Sequence, residues 1–237
     1  MTTLTLRCLG ALEAQLDTEA VTGFATDKIR ALLVYLALEP SRPHRRETLL
    51  GLFWPEIPQT AAQNNLRVTL HRLRETLNQV QPDVADRLLL STRQTVQLDP
   101  TLVTVDVLTF QSLLAACASH VHEALLGCPD CRVRLQQAVD LYRGELLAGF
   151  GLVDAAPFEE WLLLRREMLH QQALAALHTL VQGYERLGDD TQAHAYASRQ
   201  LALDPSREEA HRQLLRSLAR RGLRTEALAQ YEQCRRI

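Results

Sequence analysis

Two stretches near the C-terminus repeat at a period of 34 residues: Leu180 matches Leu214, Gly188 matches Gly222 and Ala193 matches Ala227. Tyr184 and Tyr231 fill aromatic positions of the same pattern, and Asp204-Pro205 falls where one repeat ends. That period belongs to tetratricopeptide-type helix pairs, in which small residues let the helices pack closely and glycine makes the turn. One such pair cannot bury its apolar face alone, so neighbouring pairs must stack. From Asp106 onward strand signals vanish, and helices are predicted over residues 107–118, 132–147 and 157–186, with Gly149 and Gly151 at the break between the last two. The leucine, alanine and tyrosine stripes read as packing, and Arg165-Arg166-Glu167 reads as a solvated face. The sequence stops at Arg235-Arg236-Ile237, inside the second helix of the last repeat. That repeat is read as incomplete, its exposed face left for a further C-terminal domain or another surface.

The first hundred residues are organised differently. Leu4, Leu6 and Cys8 alternate with Thr5 and Arg7, a half-buried strand, and residues 12–16 continue in that style. Asp27 is the expected N-cap of KIRALLVYLAL, whose apolar face is Ile29, Leu32, Leu33, Leu36 and Ala37. Pro40 and Pro43 stop it. RETLLGLF, residues 46–53, is a short second helix closed by Trp54-Pro55. The third helix, residues 60–79, has two faces. Leu66, Leu70, Leu73 and Leu77 form one stripe, and roughly opposite lie Asn64, Arg67, Val68, His71 and Arg72. Arg can bond a guanine edge in bidentate fashion, Asn an adenine edge, and Val can touch a thymine methyl. Residues 88–90 and 95–98 then read as strands of a hairpin around Ser91 to Gln94. Three helices followed by a basic hairpin is the winged helix-turn-helix plan. Arg93, with Thr92 and Gln94, would reach backbone phosphate or the minor groove from the wing.

Residues 4–100 resemble the OmpR-type winged helix of the SARP regulators, bacterial transcription activators of antibiotic and related pathways. The resemblance is carried by LTLRCLG, KIRALLVYLAL, ETLLGLFWPE and NNLRVTLHRLRETL. Residues 106–237 resemble the bacterial transcriptional activator domain (BTAD) that follows it in that family, most specifically at LYRGELLAGF and PFEEWLLLRREML. The resemblance implies binding to promoter repeats in double-stranded DNA and recruitment of RNA polymerase. Relatives often carry further domains after this point, including nucleotide-binding ones. No GxxxxGK[ST] phosphate loop occurs in this sequence, so no ATPase activity is expected of it.

The fold class expected is mainly α: a winged helix-turn-helix domain (α+β) over residues 1–103, then an all-α tetratricopeptide-like repeat domain over 104–237. A chain of 237 residues with 46% hydrophobic content can bury one or two cores. Its net charge of −2 gives no global attraction to nucleic acid. Arg67, Arg72 and Arg74 against the single Glu75 supply a local positive field, which is what phosphate responds to within about 8 Å at physiological salt. No basic n-region with an apolar core opens the sequence, and no apolar run approaches the roughly 20 residues of a membrane span. A cytoplasmic location is the expectation.

Five cysteines in such a setting argue for thiols or metal rather than disulfides. His120, His122, Cys128 and Cys131 form HxH followed by CPDC, four ligands of types suited to tetrahedral Zn²⁺. A bound ion would staple the loop between two helices, a structural role. The alternatives are exposed loop histidines with cysteines as small apolar residues, or a redox pair, for which no βαβ context exists. Cys8, Cys117 and Cys234 read as core fillers. The function expected is a sequence-specific transcriptional activator, reading the major groove with residues 60–79 and meeting protein partners, including a second copy, through the helical domain. The alternative is a repeat scaffold whose winged helix docks protein. No nucleophile elbow, HExxH helix or paired-carboxylate site points to an enzyme.

Overall fold

A computed structural model describes residues 2–121 and 127–236. The chain forms two compact units, each assembled from two stretches: Met1–Thr109 with Glu145–Glu167, and Phe110–Gly144 with Met168–Ile237.

The first unit opens with β1 (Leu4–Arg7), β2 (Glu13–Leu16) and β3 (Glu19–Ala20), joined later by β7 (Val103–Val105). Sheet order is β3-β2-β1-β7, with β1 antiparallel to β2 and parallel to β7. Leu4 and Leu6 are buried while Arg7 is exposed, as a period of two requires. Leu16 pairs with Glu19 across a two-residue turn, where Asp17 takes the left-handed conformation that Asp tolerates (φ 51°). Helix α1 (Asp27–Leu38) is buried on nearly every side, from Ile29 through Leu38 apart from Arg30 and Tyr35. Its N-cap is Thr26, in extended conformation, and Asp27 is the first helical residue, bonded to Arg30 at 2.8 Å. The expected cap therefore stands one residue too late. Strand β4 (His44–Arg45) leads into α2 (Arg46–Phe53), and α3 runs from Gln59 to Val80 (Gln59–Val80). A short α4 (Val84–Leu88) precedes β5 (Leu89–Ser91) and β6 (Thr95–Leu98), which form a second sheet of order β4-β6-β5.

Residues 145–167 complete this unit. The amides of Leu147 and Ala148 donate to the carbonyls of Cys8 and Gly10, and the Gly10 amide donates to Glu145. Phe158 lies 5.3 Å, centroid to centroid, from Phe53, and Trp161 lies 5.1 Å from Tyr35. Arg166 donates to the carbonyls of Leu146, Leu147 and Phe150 at 2.7–2.9 Å, and Arg165 pairs with Glu39. The Arg165-Arg166 run is thus a set of internal fasteners rather than a solvated face. Arg is suited to this because its planar fork can satisfy several carbonyls at once. The buried Asp106 carboxylate receives the amides of Cys8, Leu9 and Val107 at 2.8–3.0 Å.

The second unit is all-helical. It contains α5 (Asp106–Ser119) from Phe110 on, α6 (Pro129–Leu141), the part of α7 (Ala156–Leu187) from Met168 on, α8 (Asp190–Leu203), α9 (Glu208–Arg220) and α10 (Arg224–Arg235). Helix α6 ends six residues before the predicted limit at 147: Tyr142 leaves helical geometry and Leu147 adopts φ 52°. Gly188 and Gly222, at the repeat period, both take φ 73°, the left-handed turn for which glycine carries no steric cost. Leu180, Leu214 and Ala193 are buried in the helix pairs, and Ala227, partly buried, packs against the cluster that holds Ala193 and Leu214. A polar line crosses this packing: Gln182 and Gln213 bond the two ring nitrogens of His178 at 2.9 Å, and Gln200 donates to Gln213 at 2.8 Å. The fold is therefore a winged helix followed by tetratricopeptide-like repeats.

Candidate nucleic-acid interface

Helix α3 separates its faces sharply. Ala62, Leu66, Thr69, Leu70, Leu73, Thr76 and Leu77 are buried, while Asn64, Arg67, His71 and Arg72 are exposed and Val68 is half-buried. At about 100° per residue, the exposed set spans a little over a third of the helix circumference, opposite the leucine stripe. Within it the Arg67 guanidinium donates to the Asn64 side-chain oxygen at 2.9 Å. That contact pre-orders both groups along the helix. His71 lies 3.3 Å from Glu75, with both side chains more than half exposed, so the pair adds little stability. Glu75 itself sits near the centre of the outward face. Arg74 differs from its neighbours: it is half-buried and turned to Asp86 at 3.6 Å, at the margin of the face.

The hairpin turn is locked by one hydroxyl. Thr92 Oγ1 accepts from the amides of Gln94 and Thr95 at 3.1 and 2.9 Å, while the Thr92 amide donates to the Thr95 carbonyl. Thr92, Arg93 and Gln94 are left exposed at the tip. Arg46, at the start of α2, fastens this wing by donating to the Thr92 carbonyl at 3.0 Å and to Ser91 Oγ at 2.8 Å. Burial, then the nearby Arg74, lowers the Arg46 guanidinium from its ordinary value. Arg45, Arg46 and Arg93 line a cleft of about 460 Å³ whose other wall includes Gln63 and Leu66 of α3. Glu47 is the acidic residue of that lining. Sequence reasoning passed over Arg45 and Arg46; the signal was the Arg doublet immediately before ETLLGLF.

A second cluster lies in the helical unit. His120 Nδ1 is 3.1 Å from Cys131 Sγ and 3.5 Å from Cys128 Sγ, and the three ligand atoms all lie within 4.8 Å of one another. His122, the other expected ligand, lies outside the described residues. Cys128 is the N-cap of α6, followed by Pro129 in its first turn, and Cys131 is fully buried. Burial foremost, then the Cys128 and Cys117 thiols beside it, raises the Cys131 thiol to about 11. Of the three cysteines read as fillers, Cys8 and Cys117 are buried and Cys234 is half-buried; Cys117 packs with Leu135, Val139 and Leu177, and its thiol donates to the Cys131 carbonyl at 3.5 Å.

The class that this arrangement defines is matched by two family models. Residues 105–237 match the bacterial transcriptional activator domain, and residues 24–94 match the C-terminal domain of transcriptional regulatory proteins. The chain belongs to the bacterial transcriptional activator domain family, and its winged helix followed by that domain is the SARP-type arrangement. Among solved structures it is similar to Mycobacterium tuberculosis EmbR, in a complex with a low-affinity phosphopeptide, at 20% identity and a TM-score of 0.70. The likeness covers 99% of this chain and 59% of that one, so the chain spans little more than half of that structure's length. No curated protein matches it. Among the described residues no helix is long and apolar enough to cross a membrane.

Proposed function

We propose that the chain is a sequence-specific activator that binds double-stranded promoter DNA through residues 1–103 and meets protein partners through residues 104–237. The observation that carries this reading is the outward face of α3, whose Asn64, Arg67, His71 and Arg72 stand in water while the leucines behind them are buried. Placed in the major groove, Asn64, Arg67 and Val68 have the chemistry to read adenine, guanine and thymine edges. Arg93 and the cleft arginines, Arg45 and Arg46, are suited to phosphate, which positions the domain without carrying sequence information. Thr92 and Gln94 support Arg93 from the wing, and Arg74 contributes charge at the margin. RNA polymerase and a second copy of the chain are the partners assigned to the helical half, in a cytoplasmic protein with no catalytic role. The His120, Cys128 and Cys131 triad is read as a structural Zn²⁺ site. The N–S edge of a tetrahedral zinc site is about 3.5–3.6 Å, from Zn–N of about 2.0–2.1 Å and Zn–S of about 2.3 Å. The separations of 3.1 and 3.5 Å lie close to that edge.

The competing reading, a repeat scaffold whose winged helix docks protein, is favoured by the net charge of −2 and by the exposed Leu228 and Tyr231 of α10. A salt titration of binding to selected promoter fragments separates the two. Phosphate-driven binding falls with a slope of about −0.9 per contact in log–log form, so a steep decline is expected. Flat salt dependence, or no retention of DNA at low salt, would establish the scaffold instead.

A further inference from the structure

We propose that the exposed stripe of α10 on one copy of the chain receives the outward face of α7, over residues 156–167, on a second copy: a contact between two unlike surfaces. The inference rests on the reading that residues 104–237 meet a second copy, and it supplies the two surfaces. On α10, Arg224, Leu228, Tyr231 and Arg235 stand at i, i+4, i+7 and i+11, one stripe of the helix. No residue of α10 is buried, and Leu228 and Tyr231 are 59% and 52% exposed. On α7, Glu160, Leu163, Leu164 and Glu167 share one face, again an apolar pair between two charges. Both leucines are 65% exposed. Arg165 and Arg166 turn inward, to Glu39 and to three carbonyls, so they add no positive charge between the two glutamates.

The internal repeat indicates that this side of α10 is a surface to be covered. The period of 34 residues sets Ala227 on Ala193 and Tyr231 on Ala197. Ala193 and Ala197 are sealed, packed with Leu214 and Leu218 of the following helix, α9. The matching surface of α10 is open, beside a groove of about 470 Å³ between Tyr231 and Arg235 and the start of α9 at Glu208 and His211. Charge selects the occupant. Two α10 stripes laid together, in either direction, set arginine against arginine, and two α7 faces set glutamate against glutamate. The mixed pair alone is complementary: its leucines meet Leu228 and Tyr231, and its glutamates meet Arg224 and Arg235. Along the helix axes the glutamates are about 10 Å apart and the arginines about 16 Å, a difference that long arginine stems can close. Glu232 lies 3.3 Å from Arg235, but both side chains are more than half exposed, so that pair is weak and Arg235 can change partner.

Sedimentation velocity on the full chain, without DNA, tests the contact. The parent should self-associate, and less so as salt is added. Leu164→Arg and Leu228→Glu each replace an exposed side chain, which leaves the fold intact. Each should weaken assembly more than about tenfold by setting like charges against one another. An equimolar mixture of the two variants should associate again, because one brings an intact α10 and the other an intact α7. A parent that stays monomeric into the millimolar range would overturn the proposal and leave both faces to a different protein. Assembly that survives Leu164→Arg, or a mixture that stays monomeric while the parent assembles, would overturn it as well. Since assembly is read without DNA, flat salt dependence with promoter fragments would remove the activator reading and leave this contact standing.

Discussion

At the scale of single residues, the outward face of α3 and the wing should fail in different ways. Arg67→Ala and Asn64→Ala are expected to lose about 1–3 kcal/mol each of discrimination at one base pair, while cutting non-specific binding less. Arg93→Ala should weaken all sequences alike and reduce the salt slope by about one contact. Binding to a panel of single-base operator variants, repeated at two salt concentrations, checks both. Glu75, near the middle of the face, opposes phosphate; Glu75→Gln should tighten low-salt binding without changing the preferred sequence. Exposure is legible where a helical period sets it, as for Asn64, Arg67, His71 and Arg72. It is not legible where contact comes from distant chain, as for Arg165 and Arg166. Nothing local distinguishes Arg166, which fastens three carbonyls, from a solvated arginine. Cys117 is the core filler that its apolar pattern predicts, packed with Leu135, Val139 and Leu177.

Elements show the same division. Helix α2 and the strands of the wing follow from their own residues, because Trp54-Pro55 and the Ser91 to Gln94 turn punctuate them locally. Strand β4 (His44–Arg45) carries no apolar alternation and β7 (Val103–Val105) alternates over only three residues; both exist because β6 and β1 offer edges to pair with. Helix α6 stops early for a similar reason: Leu146 and Leu147 are buried in the first unit, where the main chain of Leu147 is held by Cys8. Asp106 is a junction between such elements, since its carboxylate receives the amides of Cys8 and Leu9, just after β1, and of Val107 at the start of α5. Asp106→Ala should cost about 1–3 kcal/mol for each buried amide left without an acceptor. Urea unfolding, with a lowered midpoint and an unchanged m value, is the measurement.

On the scale of the whole molecule, each compact unit is built from two separate stretches of chain. Phe158→Ala should destabilise the winged-helix unit by about 3–5 kcal/mol, a loss of aromatic packing against Phe53. A fragment ending at residue 109 should melt below one that includes residues 145–167, as followed by circular dichroism. Chelation should lower the melting temperature of the helical unit in the parent, and leave Cys128→Ser unmoved. A period of 34 residues and a leucine stripe announced the two architectures, but the borrowed segment has neither signature. Its amphipathic pattern fits any helical domain, and only its aromatic partners at Tyr35 and Phe53 decide where it packs. That loan has a consequence during synthesis. The ribosome releases residues 1–109 before Phe158 and Trp161 emerge, so the winged-helix unit lacks part of its interior until the first stretch of the helical unit has been made. Prematurely terminated chains would then lack a finished winged-helix unit, and any chain long enough to finish it already carries Phe110–Gly144 of the second unit.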